Sequence, residues 1–184
     1  MKTVSLLAAL SLPLAASREH DRMQRKLDAI EQRRLPRGSV TVFTPREINA
    51  WAEEEVPKTV PRGLRQPRVE LGWNSATGYA LCDFLAMQQG HGQPPNWFLS
   101  RLIEGERPVT VSVGIQSAAG QATVSLRRVE ISGVAATGTA LDFLVKTFFL
   151  PLYPDAQIDR PFRLDYDIDR LEVRPDGVRV ILRK

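Results

Sequence analysis

The feature that narrows the fold most is a long run of alternation. Val109, Val111, Val113 and Ile115 occupy every second position. Successive side chains of a strand point to opposite faces, so this spacing places four apolar groups on one face. Ser117–Gly120 reads as a turn, and Ala122, Val124 and Leu126 resume the alternation on a return strand. Val129 and Ile131 then fall on odd numbers, where the return strand had used even ones. A slip of one residue turns every later side chain over unless an extra residue absorbs it. A β-bulge is therefore predicted at Arg127–Arg128, in a long and strongly twisted antiparallel hairpin.

The second constraint is a segment with almost no polar surface. A helix is predicted over Ala140–Leu150, with Thr139 as its cap and Pro151 and Pro154 beyond its end. Leu141, Phe143, Leu144, Val145, Phe148, Phe149 and Leu150 are interrupted only by Asp142, Lys146 and Thr147. A helix this apolar must be covered on most sides, by protein or by ligand.

Shorter elements surround these two. Ser39–Phe43 reads as a strand that runs into Thr44-Pro45-Arg46-Glu47. Thr44 suits an N-cap, Pro45 the first helical position, and Glu47 the residue that reaches back to the cap. Ile48, Trp51, Ala52 and Val56 share one face of the helix that follows, and Pro57 is predicted to stop it. Val69–Trp73 alternates as a half-buried strand, and Gly78–Leu85 has apolar residues on both faces. His91–Asn96 reads as a loop, while Trp97–Ile103 fits a short helix and an irregular apolar segment equally well. Phe162, Leu164, Tyr166 and Ile168 alternate with Arg163, Asp165, Asp167 and Asp169. Leu171 and Val173 change phase, Pro175-Asp176-Gly177 is a tight turn, and Val178, Val180 and Leu182 form a last strand. The prediction is an α+β protein with about seven or eight antiparallel strands, since no strand–helix rhythm supports a parallel sheet.

Residues 1–17 carry a positive end at Lys2, an apolar run, and small residues at Ala15-Ala16-Ser17. That is the pattern of a signal peptide, and it predicts export to the periplasm or cell envelope. No cysteine stands near the expected cleavage point, which argues against a lipoprotein. Residues 18–38 form a basic helix and linker, and 39–184 a single domain. The helix, predicted over Arg18–Leu35, carries Arg22, Arg25, Lys26, Arg33 and Arg34 and a narrow stripe of Met23, Leu27 and Ile30. So narrow a stripe predicts weak docking: a solvated lead-in helix, or one attracted to a membrane surface of anionic headgroups. The net charge of +4 is too small to favour nucleic acid.

No catalytic set stands out. The two histidines, His20 and His91, have no Cys, His or carboxylate at metal-ligand spacing, and no base partners a nucleophile. Asp165, Asp167 and Asp169 imitate the start of a calcium loop, but Arg170 stands where its turn needs glycine. They read instead as one solvated face of a strand. Gly133–Gly138 lacks the lysine of a phosphate loop. The single cysteine, Cys82, reads as an inert buried thiol. The expectation is a protein without enzymatic activity, metal or cofactor.

Four stretches carry a family resemblance. They are Val40–Trp51, with its T-x-x-E-I-N-x-aromatic helix start, Gly78–Phe84, Val124–Gly133, and the closing pair Ile168–Arg174 and Gly177–Ile181. The chain resembles the YceB-like lipoproteins and the mycobacterial lipomannan-elongation-maintenance family of bacterial cell-envelope proteins, which are similar to tubular lipid-binding (TULIP-like) domains. The resemblance implies a curved antiparallel sheet wrapped on the apolar helix, with a groove for acyl chains. The residues expected to line it are Leu141, Leu144, Val145, Phe148 and Phe149. The function expected is non-catalytic binding of a lipid or other amphiphile in the periplasm or envelope. The alternative is an envelope assembly protein that binds a protein partner without lipid.

Overall fold

The computed structural model describes residues 12–59, 63–87, 101, 103–150 and 158–184. His91, the 91–96 loop, Trp97, Pro151 and Pro154 lie outside the described residues. The chain order is α1 (Leu12–Glu31), β1 (Val40–Phe43), α2 (Pro45–Thr59), β2 (Leu64–Gly72), β3 (Ser75–Asp83), the single turn α3 (Phe84–Met87), β4 (Glu106–Ala118) and β5 (Gln121–Ile131). Then follow β6 (Val134–Ala135), α4 (Gly138–Leu144) with a π-helical continuation (Val145–Phe149), β7 (Pro161–Arg163), β8 (Ile168–Arg174) and β9 (Gly177–Leu182). All named strand pairs are antiparallel.

The strands do not form the one sheet expected. β1, β9 and β8 make a small sheet, and β2-β3-β4-β5-β6 a large one in which β7 also pairs with β5. The pairing of β1 with β9 joins strands from opposite ends of the chain, which alternation alone cannot reveal. Each sheet has its own core. Ile30, Phe43, Val180 and Leu182 cluster on the small sheet, and Val129, Ile131, Leu144 and Phe148 on the large one. The join between them rests on main-chain bonds and one serine hydroxyl. Asn74 takes a left-handed conformation (φ 47°), donates its N–H to the Val173 carbonyl at 3.0 Å and accepts from Ile115 N–H at 2.8 Å. Ser117 Oγ accepts the Leu171 N–H at 3.0 Å.

In the large sheet Ser112 pairs with Arg128 and Val113 with Leu126, which leaves Arg127 as the extra residue. The bulge restores the phase, so Leu126, Val129 and Ile131 all pack into the same core.

Helix α2 ties the two sheets together. Thr44 N–H donates to Glu47 Oε2 at 2.8 Å, and Glu47 N–H donates to Thr44 Oγ1 at 3.3 Å, a reciprocal capping box. Glu47 is only 2% exposed. Its charge is met by Lys26 of α1, whose Nζ lies 2.6 and 2.7 Å from the two carboxylate oxygens and also donates to the Val42 carbonyl at 2.7 Å. Burial pushes the Glu47 carboxyl up, but the bonds from Lys26 and Thr44 outweigh it and hold the group below its ordinary range. Two residues on, Asn49 completes the open edge of β2. Its Nδ2 donates to the Val69 carbonyl at 2.9 Å, and its Oδ1 accepts the Val69 N–H at 2.7 Å. A side-chain amide thus takes the place of a neighbouring strand.

Several local expectations change. α1 runs through Ser17 and ends at Glu31, short of Leu35. Arg33 adopts φ 51°, and Arg34 N–H reaches back five residues to the Ala29 carbonyl, a Schellman-type stop. Leu35 packs against the small core, so tertiary burial sets the boundary. Docking of α1 is not weak: Ile30 is 4% exposed, and Met23 and Leu27 pack beside it. Pro57 sits within the last turn of α2, which continues to Thr59. The strand expected over Phe162–Asp169 is broken at Tyr166 and Asp167, both at positive φ (53° and 59°). The aspartates therefore do not share a strand face. Asp167 pairs with Arg33 at 3.6 Å and Asp169 with Arg170 at 2.9 Å.

Removing Lys26 leaves a buried carboxylate unpaired. Lys26→Ala is expected to cost about 3 kcal/mol at neutral pH, or roughly 6–12 °C in Tm for a chain of this size. A carboxyl held below its ordinary pKa stabilises the fold above that value and loses the contribution as pH falls through the folded value. The Tm gap between wild type and variant should therefore narrow between pH 7 and pH 3 in thermal melts. An equal gap at both pH values would refute the pairing.

Candidate functional site

The site is built on the apolar face of the large sheet. Odd-numbered residues of β4 (Val109, Val111, Val113) point to it, as do Val124 and Leu126 before the bulge of β5 and Val129 and Ile131 after it. Opposite stands the segment from α4 onward. Thr137 (φ −138°) is its N-cap residue and makes no side-chain cap bond, so Thr139 is not the cap. Past Leu144 the helix widens: the Leu150 N–H reaches the Val145 carbonyl at 2.9 Å, a π-helical spacing. Phe148 meets Phe84 of α3 edge to face with centroids 5.0 Å apart, and Phe143 at 6.0 Å.

Between the two walls is a cavity of about 280 Å³. Its remaining lining comes from Val56 of α2, Leu64 of β2, Phe84 and Met87 of α3, and Ile158. All five residues singled out from the sequence, Leu141, Leu144, Val145, Phe148 and Phe149, lie on its wall. Leu144 and Phe148 are buried, Leu141 and Val145 half-buried, and Phe149 is 38% exposed. The strand residues were not singled out, although their two-residue period and its one slip were the signal for them. Every lining side chain among the described residues is a hydrocarbon or a thioether. These side chains offer neither a hydrogen bond nor a proton, so they suit apolar matter. The volume lies just under the roughly 300–1,000 Å³ of small-molecule sites.

Polar groups that might have signalled chemistry are elsewhere. Cys82 is buried in the large core, and burial, with the Glu106 charge behind it, pushes its thiol up to about 11. His20 of α1 faces α2 and lies 3.0 Å from Glu55 and 3.5 Å from Glu54 and Asp21. Burial pulls its pKa down, but the bonds from Glu55 and Asp21 outweigh this and raise it. His20, Glu54 and Glu55 stand close enough together to share a metal ion. Both glutamates already hold Lys58, at 3.3 and 2.7 Å, so the group is complete as an ion-pair network. No helix among the described residues is long and apolar enough to cross a membrane.

Fold and site together define an α+β protein of two antiparallel sheets with an apolar cavity against the larger one. Comparison with protein-family models, curated proteins and solved structures finds no match for the chain.

A thiol with a pKa near 11 is almost wholly protonated at pH 8. Native protein at pH 8 is expected to leave Cys82 unmodified by iodoacetamide over hours, whereas denatured protein reacts fully. Rapid labelling of the native form, read by mass spectrometry, would contradict the buried placement.

Proposed function

We propose that the protein is a non-catalytic periplasmic or cell-envelope module that binds a lipid or other amphiphile in its apolar cavity. The observation that supports this best is the composition of the wall: among the described residues that line it, no side chain carries a charge or a hydrogen-bonding group. A solid core would use the same residue types, but it would leave no room of about 280 Å³ between them. In this reading the large sheet curves round the segment Leu141–Phe149, and that segment forms one side of the acyl-chain groove. The headgroup stays outside, because nothing on the wall would replace its water. The resemblance to the YceB-like and lipomannan-elongation-maintenance proteins points the same way, and the signal-like start supports export to the compartment where envelope lipids are found.

Held by exclusion from water alone, a guest should bind in proportion to its buried length. Each buried methylene contributes about 0.8 kcal/mol, roughly fourfold in affinity. Fluorescent fatty acids of increasing length are expected to bind about fourfold more tightly per carbon until the cavity is full, and then to level off. Val111→Trp, placed on the wall, should lower affinity at least tenfold while leaving the circular dichroism unchanged. Lipid extracted from protein purified from cells should be detected by mass spectrometry. No extracted lipid together with no uptake would refute the reading, and a stable protein partner captured without lipid would favour an assembly role.

A further inference from the structure

We propose that the protein rests on anionic bilayers through a composite cationic surface, built where the end of α1 meets the end of β9. This stands apart from the cavity reading and does not need a guest. The apolar stripe of α1 cannot lie on a membrane, because Met23, Leu27 and Ile30 are spent on the small core. What the fold leaves outside is the end of that helix. The left-handed turn at Arg33 carries the chain to Arg34 and Arg37, both exposed. Gly38 N–H then donates to the Arg183 carbonyl at 2.8 Å, which places Arg37 beside Arg183, and Gly38 also adjoins the Lys184 side chain. Arg183 N–H donates to the Asp167 carbonyl at 2.9 Å, and the Asp167 carboxylate is the one that pairs with Arg33.

Arg33, Arg34, Arg37 and Lys184, from two segments of the chain, therefore lie close together, while the Arg183 guanidinium turns toward Gly120. The carboxylates in the adjoining turn are Asp167, committed to Arg33, and Asp165. Arg34 and Arg37 have no carboxylate partner among the described residues. Beside them two large side chains face solvent, Val40 at 53% and Tyr166 at 43% exposure. Val40 and Ile181 line a shallow depression whose rim carries Arg179, Arg183 and Lys184 beside Asp169 and Glu172, and both of these carboxylates are paired with Arg170. A soluble polyanion would satisfy the arginines but gain nothing from Val40 and Tyr166. An anionic leaflet satisfies both, with headgroup charge for the cations and an interfacial layer for the ring and the aliphatic groups.

The test is co-sedimentation of the purified protein with vesicles of phosphatidylcholine alone and of phosphatidylcholine mixed with phosphatidylglycerol. Binding is expected only to the mixed vesicles and should fall steeply with salt. A basic side chain near an anionic leaflet is worth about 1 kcal/mol, close to fivefold in partitioning. Arg34→Glu with Arg37→Glu should lower binding about 25-fold or more, and the milder Arg34→Gln with Arg37→Gln should lower it in the same direction. Arg68→Glu with Arg128→Glu, an equal charge change on other exposed arginines, should stay within a few-fold of wild type. Fatty-acid uptake should be unchanged in all these variants, so loss of one property leaves the other readable. Equal loss in the Arg68/Arg128 variant, equal binding to neutral vesicles, or retention on heparin that exceeds binding to anionic vesicles would overturn the proposal.

Discussion

A single buried carboxylate organises the junction of this fold. Glu47 sits at the first turn of α2, where it faces the cap of its own helix and the ammonium of Lys26 from another. Burying it alone would cost several kcal/mol, so the position is tenable only while α1, β1 and α2 hold their places. The Lys26 bond to the Val42 carbonyl extends the same tie to β1. Two residues further on, Asn49 binds both polar groups of Val69 and fixes the edge of the large sheet to the same helix. Four successive positions of one motif, Thr44 to Glu47, and one amide beyond it therefore set the relation between helix, small sheet and large sheet.

That relation gives the cavity its walls. The large sheet contributes one face, and α2 closes a corner through Val56. The π-helical stretch sets Val145, Phe148 and Phe149 along the opposite side, where an edge-to-face ring pair with Phe84 braces Phe148. Apolar burial and apolar vacancy are in tension here. Filling the space would add contacts, yet the bulky residues are used to hold the walls apart.

What could be read from the chain beforehand followed from range. The capping box and the bulge at Arg127 are written within a few residues, and both were legible. The greasy segment was legible too, because no surface helix tolerates Leu141, Leu144, Val145, Phe148 and Phe149 with so little between them. Features set by distant contacts were not. Where α1 stops depends on where Leu35 finds a core, and the existence of a second sheet depends on Val40 meeting Ile181. The break at Tyr166 and Asp167 interrupts a faultless alternation, because two non-glycine residues take left-handed backbone that no local pattern announces. Asn49 stood in the quoted helix-start motif, but nothing local announced its bonds to β2. Its partner lies twenty positions away.

The extra residue at Arg127 has a meaning beyond the hairpin. Its side chain lies across Gly114, so a larger residue at 114 would have to push the guanidinium aside. The position is thus a matter of count rather than chemistry: many side chains could stand at 127, but none could be left out. Shortening the strand there by one would send Val129 and Ile131 out to water, emptying the oily chamber of half its ceiling while every other residue kept its name.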